Sequence, residues 1–389
     1  VHSALVIQNG SVLLPSGKLS SRDVLVRDGQ IQEIGPDLES ELQVDASGGY
    51  LLPGLIDLHT HGIRTVSVEA GTLSEYARIE ASRGTTTFYP TLFCPPEESA
   101  EQMERHRRET DELRLLPQVG GFRLESPYLA VASGGLSSDL AAIKAETTHM
   151  LLDAGGGHVK IWDISPELEG APETIRELSE RGIVCSIAHT KATTDQARAA
   201  VGAGARLVTH LFDVFYYVPE ISDPDPDIFG ACMVDYLLIE DRVTCEIIGD
   251  GTHVDPRLVE KAFRCKTPDR LAFVTDSNYG AGLPPGQYTL PGGSGNVLIG
   301  GPNNGVRLVD REMILGGSAL TPIDSFRNVM RLFHKDLATA SHVWSRTPAR
   351  LMGLNKGEIA VGKDADLIVL DASLDVLYTV VAGAVVYQK

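Results

Sequence analysis

Apolar runs and polar stretches alternate along the middle of the chain. The runs are GLIDLHTHG, GTTTFYPTLF, VGGFRLES, HVKIWDIS, GIVCSIAHT, RLVTHLF, VTCEIIGD and RLAFVTDS. Each has the length of a buried strand. Stretches with helical spacing lie between them, among them EESAEQMERHRRETDELR, PETIRELSERG, TTDQARAAVGAGA and PRLVEKAFR. Strand alternating with helix predicts an α/β fold with a parallel sheet. Eight such units in roughly 300 residues predict a (β/α)8 TIM barrel. A doubly wound sheet fits less well, because no glycine-rich phosphate fingerprint follows an early strand.

The ends of the chain follow a different pattern. SALVIQNGSVLL places Asn-Gly between two apolar runs, and DVLVRDGQIQEIG does the same with Asp-Gly; both are hairpin signals. GEIAVGKDADLIVLD and LYTVVAGAVVYQK repeat the β character at the other end. Neither segment carries enough apolar residues for a core of its own. Residues 1–52 and 356–389 are therefore expected to pair into one small sheet domain, with the barrel over 53–355. The glycine- and proline-rich stretch 284–317 reads as a β-hairpin insertion before a last helix, TPIDSFRNVMRLFHKD.

Composition narrows the function classes. The chain is 43% hydrophobic and 22% charged, as an ordinary soluble globular protein is. A net charge of −18 argues against nucleic acid as a partner. No apolar run reaches the ~20 residues that span a bilayer, so no membrane partner is expected. The N-terminus reads as strand and turn rather than as a signal peptide. The five cysteines, Cys94, Cys185, Cys232, Cys245 and Cys265, are scattered and form no C-x-x-C pair. They point to a reduced, cytoplasmic compartment.

The chemistry lies where the strands end. The first run closes on His59 and His61, the third on Glu125, the fifth on His189, the sixth on His210 and the eighth on Asp276; His253 follows the seventh. Barrel enzymes place their reactive groups at these C-terminal strand ends. Alternate strand residues share a face, so His59 and His61 can point together into the mouth. One histidine in such a place is more often structural than a ligand. Six potential ligands, nearly all on strands of their own, form a divalent-metal set of imidazoles and carboxylates. Four histidines, Glu125 and Asp276 exceed what one tetrahedral ion needs, so one or two ions are expected, with Glu125 as the bridge. Zinc is the first choice, with iron, manganese or cobalt as alternatives. Such a site activates water and polarises a carbonyl, and Asp276 is placed to carry the proton.

These residues bring a resemblance into view. LLPGLIDLHTHG resembles the metal-binding signature of the amidohydrolase superfamily. GGFRLESPYL, AHTKATTDQARAAVGAGARLVTHLF, IGDGTHVDP, FVTDSNYGAGLPPGQYTL and GGSALTPIDSFRNV resemble the N-acetylglucosamine-6-phosphate deacetylases within it. The resemblance implies a TIM barrel with a small β-sandwich built from both termini, and hydrolysis of an N-acetyl amide. It implies a main metal on the residues matching Glu125, His189 and His210, and a second ion where the H-x-H of His59 and His61 is kept. It makes Asp276 the acid/base and His253 a substrate contact. It also implies a homodimer, with the loop after the sixth strand near the partner's site.

Departures from the family bear on the substrate. In the family that loop carries an asparagine-alanine pair and then an arginine that helps to hold the 6-phosphate. Here Asp213 and Val214 replace the pair, and no Arg or Lys occurs from Leu207 to Asp241; Glu220, Asp223, Asp225 and Asp227 occur instead. Carboxylates repel a phosphate that only Arg forks or N–H groups would hold. The expected substrate is thus an N-acyl amino sugar that is not phosphorylated or otherwise differs. An N-acyl amino acid or a cyclic amide is the alternative, and a non-catalytic binding barrel the alternative outside enzymes. A family histidine that bonds the substrate carbonyl falls within SGGLSS here, which makes Ser137 or a neighbour the candidate. Asp213, Arg64 and Tyr217 complete the candidate substrate contacts, while Phe212, Phe215 and Tyr216 are expected to pack the loop or a dimer partner. Arg123 reads as the partner of a buried carboxylate. Lys160, which could be a carbamylated metal bridge, reads as structural because Glu125 is available for that role.

Overall fold

The structure is a computed structural model and describes residues 4–112, 117–216, 218, 220 and 230–389. Eight parallel strands form one sheet in sequential order: β1 (Leu55–Thr60), β2 (Thr85–Leu92), β3 (Phe122–Leu124), β4 (Val159–Ile164), β5 (Val184–Ile187), β6 (Leu207–Val208), β7 (Thr244–Ile248) and β8 (Leu271–Val274). Helices follow the strands in turn: α1 (Leu73–Ala81), α2 (Pro96–Glu112), α3 (Ala145–Gly155), α4 (Ala171–Glu180), α5 (Thr194–Ala203), α6 (Met233–Ile239), α7 (Pro256–Cys265) and α8 (Pro322–Arg331). This is the TIM barrel expected from the alternation. Local sequence sets the helix ends. Thr193 and Gln196 cap α5 reciprocally, and Gly204, at φ 125°, ends it.

Strand alternation divides the side chains between two layers. Phe88, Trp162, Cys185, Val208, Cys245 and Phe273 pack outward in the main core beneath the helices. Tyr89, Ile161, Val184, Leu207 and Ala272 belong to a separate apolar cluster. A polar group shares the barrel interior. Arg123 is 0% exposed. It donates from Nε to Asp163 Oδ2 (2.8 Å) and from Nη1 to Glu246 Oε1 (2.6 Å), and both carboxylates are also fully buried. It donates further to Leu58 O and Thr209 Oγ1, each at 3.0 Å. This is the buried-carboxylate partnership read from the sequence, made with two carboxylates rather than one.

The barrel closes between β8 and β1 with little ladder. One parallel bridge joins Thr60 to Ser277, and Asp276 N–H donates to His59 O at 2.9 Å. Asp57 reinforces the seam. Its Oδ1 accepts the N–H groups of His59 (3.2 Å) and Thr275 (3.3 Å), and its Oδ2 accepts the Thr275 hydroxyl (2.6 Å).

Both termini build the smaller part. Strand Tyr50–Pro53 pairs in parallel with Ser11–Leu13 and antiparallel with Leu367–Leu370, inside a six-stranded sheet. A four-stranded sheet from the N-terminal segment packs against it, and residues of both, such as Ile7, Val24, Leu51 and Leu367, share one core. The stretch after β8 holds four antiparallel strands where a hairpin was expected: Gly286–Thr289, Asn296–Ile299, Val306–Leu308 and Ile314–Leu315. Among the described residues, no helix is long and apolar enough to cross a membrane.

Replacing Arg123 with Met leaves two carboxylates buried without a counter-ion. Arg123→Met is expected to destabilise the fold by about 3–5 kcal/mol, read as a lower urea midpoint. A midpoint equal to that of the wild type would contradict the role given to this network.

Candidate metal centre

Six side chains converge at the C-terminal mouth of the barrel. His59 lies on β1 and His61 just beyond it; Glu125 directly follows β3. His189, His210 and Asp276 each stand two residues past the ends of β5, β6 and β8. All three of these have positive φ, at 44°, 24° and 48°. Non-glycine residues rarely adopt such φ, and the cost is borne where the backbone must turn to aim a functional group. The strand stops and the side chain swings over the mouth.

Backbone carbonyls aim three of the imidazoles. Nδ1 of His61 faces Thr91 O at 3.0 Å, that of His189 faces Val131 O at 2.8 Å, and that of His210 faces Asp213 O at 3.1 Å. Carbonyls only accept, so each Nδ1 carries the hydrogen and each Nε2 offers a lone pair to the centre. Glu125 divides these lone pairs into two groups. Its Oε1 lies 3.0 Å from His189 Nε2 and 3.3 Å from His210 Nε2. Its Oε2 lies 3.3 Å from His59 Nε2 and 3.0 Å from His61 Nε2. Asp276 Oδ1 adds a third side to the second group, 3.4 Å from His59 and 3.3 Å from His61.

The donor set fits divalent metal. In both groups two imidazole Nε2 atoms face each other at 3.2 Å. Two lone pairs that close repel unless a proton or a cation lies between them. Ligand atoms of His59, His61 and Asp276, and of His59, Glu125 and His210, each lie within 4.8 Å of one another. Nitrogen and carboxylate donors at this spacing suit zinc and its neighbours. His59 Nδ1 is buried without a hydrogen bond and stands 3.5 Å from Glu246 Oε2. That contact joins the centre to the Arg123 network below it.

Electrostatics explain the closeness of the groups. Burial alone would lower the histidine pKa values, and Arg123 pushes His59 the same way. Glu125 and Asp276 outweigh both and raise His59 and His61 to about 9. His210 rises to about 10, against its burial, through Glu125 and Asp213. Burial works against ionising Asp276, yet His59 and His61 hold its carboxyl down at about 2. The carboxylates thus favour positive charge at this point of the barrel, whether carried by protons or by a cation.

A cavity of about 690 Å³ opens over the centre, with His61, Glu125, His189, His210, His253 and Asp276 among its lining. His253 is steadied by Asp250, whose Oδ2 lies 2.7 Å from Nδ1, leaving Nε2 for the cavity. Burial opposes its charged form, but Asp250 raises its pKa. Asp213 also lines the cavity. Arg64 does not: its backbone pairs with Ala281 and Gly280 and its side chain is half-buried elsewhere. Ser137 is exposed in a short 3-10 turn (Ser137–Asp139), so its neighbours Ser133, Leu136 and Asp139 face the cavity instead. Tyr217 lies outside the described residues. Lys160 bonds Gly157 O at 2.9 Å and plays no part in the centre. Phe212 and Phe215 pack against the core, while Tyr216 stays exposed beneath Lys191. Two lining or supporting residues escaped sequence reading. Asp250 was visible as a carboxylate one turn before His253, but Arg311 was not, because it arrives from the distant four-stranded insertion.

Comparison with known proteins identifies the family. The model of the amidohydrolase family matches residues 50–386. The chain belongs to the amidohydrolase family. This amidohydrolase is 32% identical to the human N-acetylglucosamine-6-phosphate deacetylase, over 97% of the chain and 94% of that protein. It is 29% identical to an N-acetylgalactosamine-6-phosphate deacetylase of Escherichia coli O157:H7, over 95% of the chain and 96% of that protein. Among solved structures, the Mycobacterium smegmatis N-acetyl-D-glucosamine-6-phosphate deacetylase in complex with N-acetyl-D-glucosamine-6-phosphate superposes with a TM-score of 0.85 at 27% identity, each chain covered over 100%. The enzyme from Pasteurella multocida gives 0.86 at 26% identity, over 99% of this chain and 100% of its own. The amidohydrolase at hand is a deacetylase-like enzyme with a buried His/Glu/Asp centre.

The pKa directions fix the sign of a pH effect. The raised histidines stabilise the metal-free fold below their ordinary pKa of about 6.5, and that stability is lost as pH rises through about 9 to 10. The Tm of metal-free protein is expected to fall between pH 7 and 10, whereas metal-loaded protein holds its Tm better, because bound metal replaces those protons. Parallel curves for the two forms would refute this account.

Proposed function

We propose that this enzyme hydrolyses the N-acyl amide of an amino sugar, with acetyl as the acyl group, and that its substrate lacks the 6-phosphate. The reading of the reaction rests on one observation: Glu125 presents its two oxygens to two separate histidine pairs, with Asp276 closing one side. Bound divalent metal, zinc first and iron, manganese or cobalt as alternatives, supplies the Lewis acid that polarises the amide and activates water.

The chain's own residues do the rest. Asp276 is acceptor-only when ionised, and it takes the proton released from water and returns it to the departing amine. His253, fixed by Asp250, holds its Nε2 toward the substrate. His59 and His61 keep Asp276 ionised and in place. The cavity is large enough for an N-acetyl hexosamine.

The substrate reading rests on charge. Asp213 faces the cavity directly behind His210, and the chain has no Lys or Arg from residue 207 to 241. Glu69, Glu98 and Asp139 line the cavity too. A phosphate dianion in this cavity faces these four carboxylates against the single guanidinium of Arg311. A reduced compartment accords with five free cysteines, four of them buried. A homodimer whose loops approach the partner's site belongs to the same reading, and sedimentation of the metal-loaded protein tests it.

Release of free amine from N-acetyl sugars, with and without a 6-phosphate, tests the reaction and the substrate together. Turnover is expected for the unphosphorylated sugar, and a strong preference for the phosphorylated one would overturn the charge argument. Asp276→Asn is expected to lower kcat by about 10²–10⁴-fold while metal is retained on the remaining ligands. Full activity in that variant would remove Asp276 from its role.

A further inference from the structure

Arg311 is the one Lys or Arg among the described residues that line the cavity. It stands in the turn between the insertion strands Val306–Leu308 and Ile314–Leu315. Its Nη1 donates to Gly134 O at 2.6 Å and its Nη2 to Gly135 O at 3.0 Å. These bonds fix the plane of the guanidinium against the loop that follows β3. They use two of the five N–H groups an arginine carries. Among the described residues, no carboxylate pairs with it. Leu308 and Leu315, its neighbours in the insertion, also line the cavity and lower the local dielectric.

A half-buried guanidinium with open N–H groups, no counter-ion and an apolar flank, facing a substrate cavity, calls for an anion. We propose that Arg311 anchors a carboxylate on the substrate, so that the N-acyl compound cleaved here is a monoanion. This deepens the deacylase reading above and rests on it. Two sources share the chemistry: an N-acetyl amino sugar bearing a carboxylate, and an N-acyl amino acid. The guanidinium fork matches the two oxygens of a carboxylate. A single arginine offsets one charge; the second charge of a phosphate would be left facing Asp139 and Asp213. A neutral sugar can still accept hydrogen bonds through its hydroxyls, but it leaves the guanidinium's charge uncompensated and so binds more weakly. A role confined to stapling the glycine loop makes a different forecast, because it would affect all substrates alike.

The test compares four probes: N-acetylglucosamine, its 6-carboxylate analogue, its 6-phosphate, and N-acetyl amino acids. Amine release is measured with metal-loaded wild type, Arg311→Met and Arg311→Lys. Binding is measured by calorimetry in the Asp276→Asn background, with and without Arg311→Met. A carboxylate probe is expected to bind about 10–100-fold tighter than the neutral sugar. Arg311→Met is expected to erase most of that ratio, chiefly through KM, and Arg311→Lys to keep part of it. Which carboxylate probe leads tells the acidic sugar from the amino acid. Equal binding of neutral and carboxylate probes, best binding of the phosphate, or an equal loss for all probes in Arg311→Met would each overturn the proposal. Carboxylate preference without amine release from any probe would uphold the anchor and overturn the deacylase reading. Amine release without that preference would do the reverse.

Discussion

One guanidinium inside the barrel sets the level of the metal centre. Arg123, on β3, touches Leu58 on β1, Asp163 on β4, Thr209 just past β6 and Glu246 on β7. Leu58 immediately precedes His59, Thr209 immediately precedes His210, and Arg123 stands two before Glu125 on the same strand face. A single side chain therefore fixes the relative heights of three ligand-bearing strands. Burying one cation with two anions is costly, and it holds only because the hydrogen bonds are nearly complete. Burial resists ionising Glu246, but Arg123 and His59 keep its carboxyl at about 2. The excess negative charge then lies under His59, which it helps to hold.

The centre above depends on that floor and on the backbone that turns over it. His189, His210 and Asp276 all leave their strands in the left-handed region, and the carbonyls of Thr91, Val131 and Asp213 aim the rings. Strain in the turns and hydrogen bonds to the rings act on the same few residues. The site is consequently built from strand ends rather than from long loops, which favours precision over adaptability. The rest of the cavity wall comes from segments outside the barrel strands, among them the loop after β3 and the insertion after β8.

This division explains what could be read in the sequence. The barrel and the side chains that converge at its mouth are legible because strand–helix alternation is periodic and because each polar residue closes an apolar run. Arg123 could be given a buried carboxylate for a partner, but Asp163 and Glu246 could not be named, since only the closed barrel brings β4 and β7 to β3. The substrate contacts were less legible. Ser137 was placed by its offset from Glu125, yet a short 3-10 turn carries it outward. Arg64 is near the H-x-H in sequence, yet its backbone bonds Ala281 and Gly280 in the loop after β8 and its side chain is not among those lining the cavity. Arg311 lies 177 residues from Gly134, the carbonyl it bonds, and no local pattern announces such a contact.

The pairing of Tyr50–Pro53 with Leu367–Leu370 has a consequence for the birth of the protein. The first of these strands leads directly into β1, so the start of the barrel is joined to a sheet that only the end of the chain completes. At a synthesis rate of roughly 5–20 residues per second, the early strand waits about 15–60 seconds for its partner. During that interval one edge of Tyr50–Pro53 is open to other strands. All six side chains that converge at the mouth, by contrast, precede that partner in the chain. The mouth of the barrel is thus synthesised in full while the sheet beside it still lacks a strand.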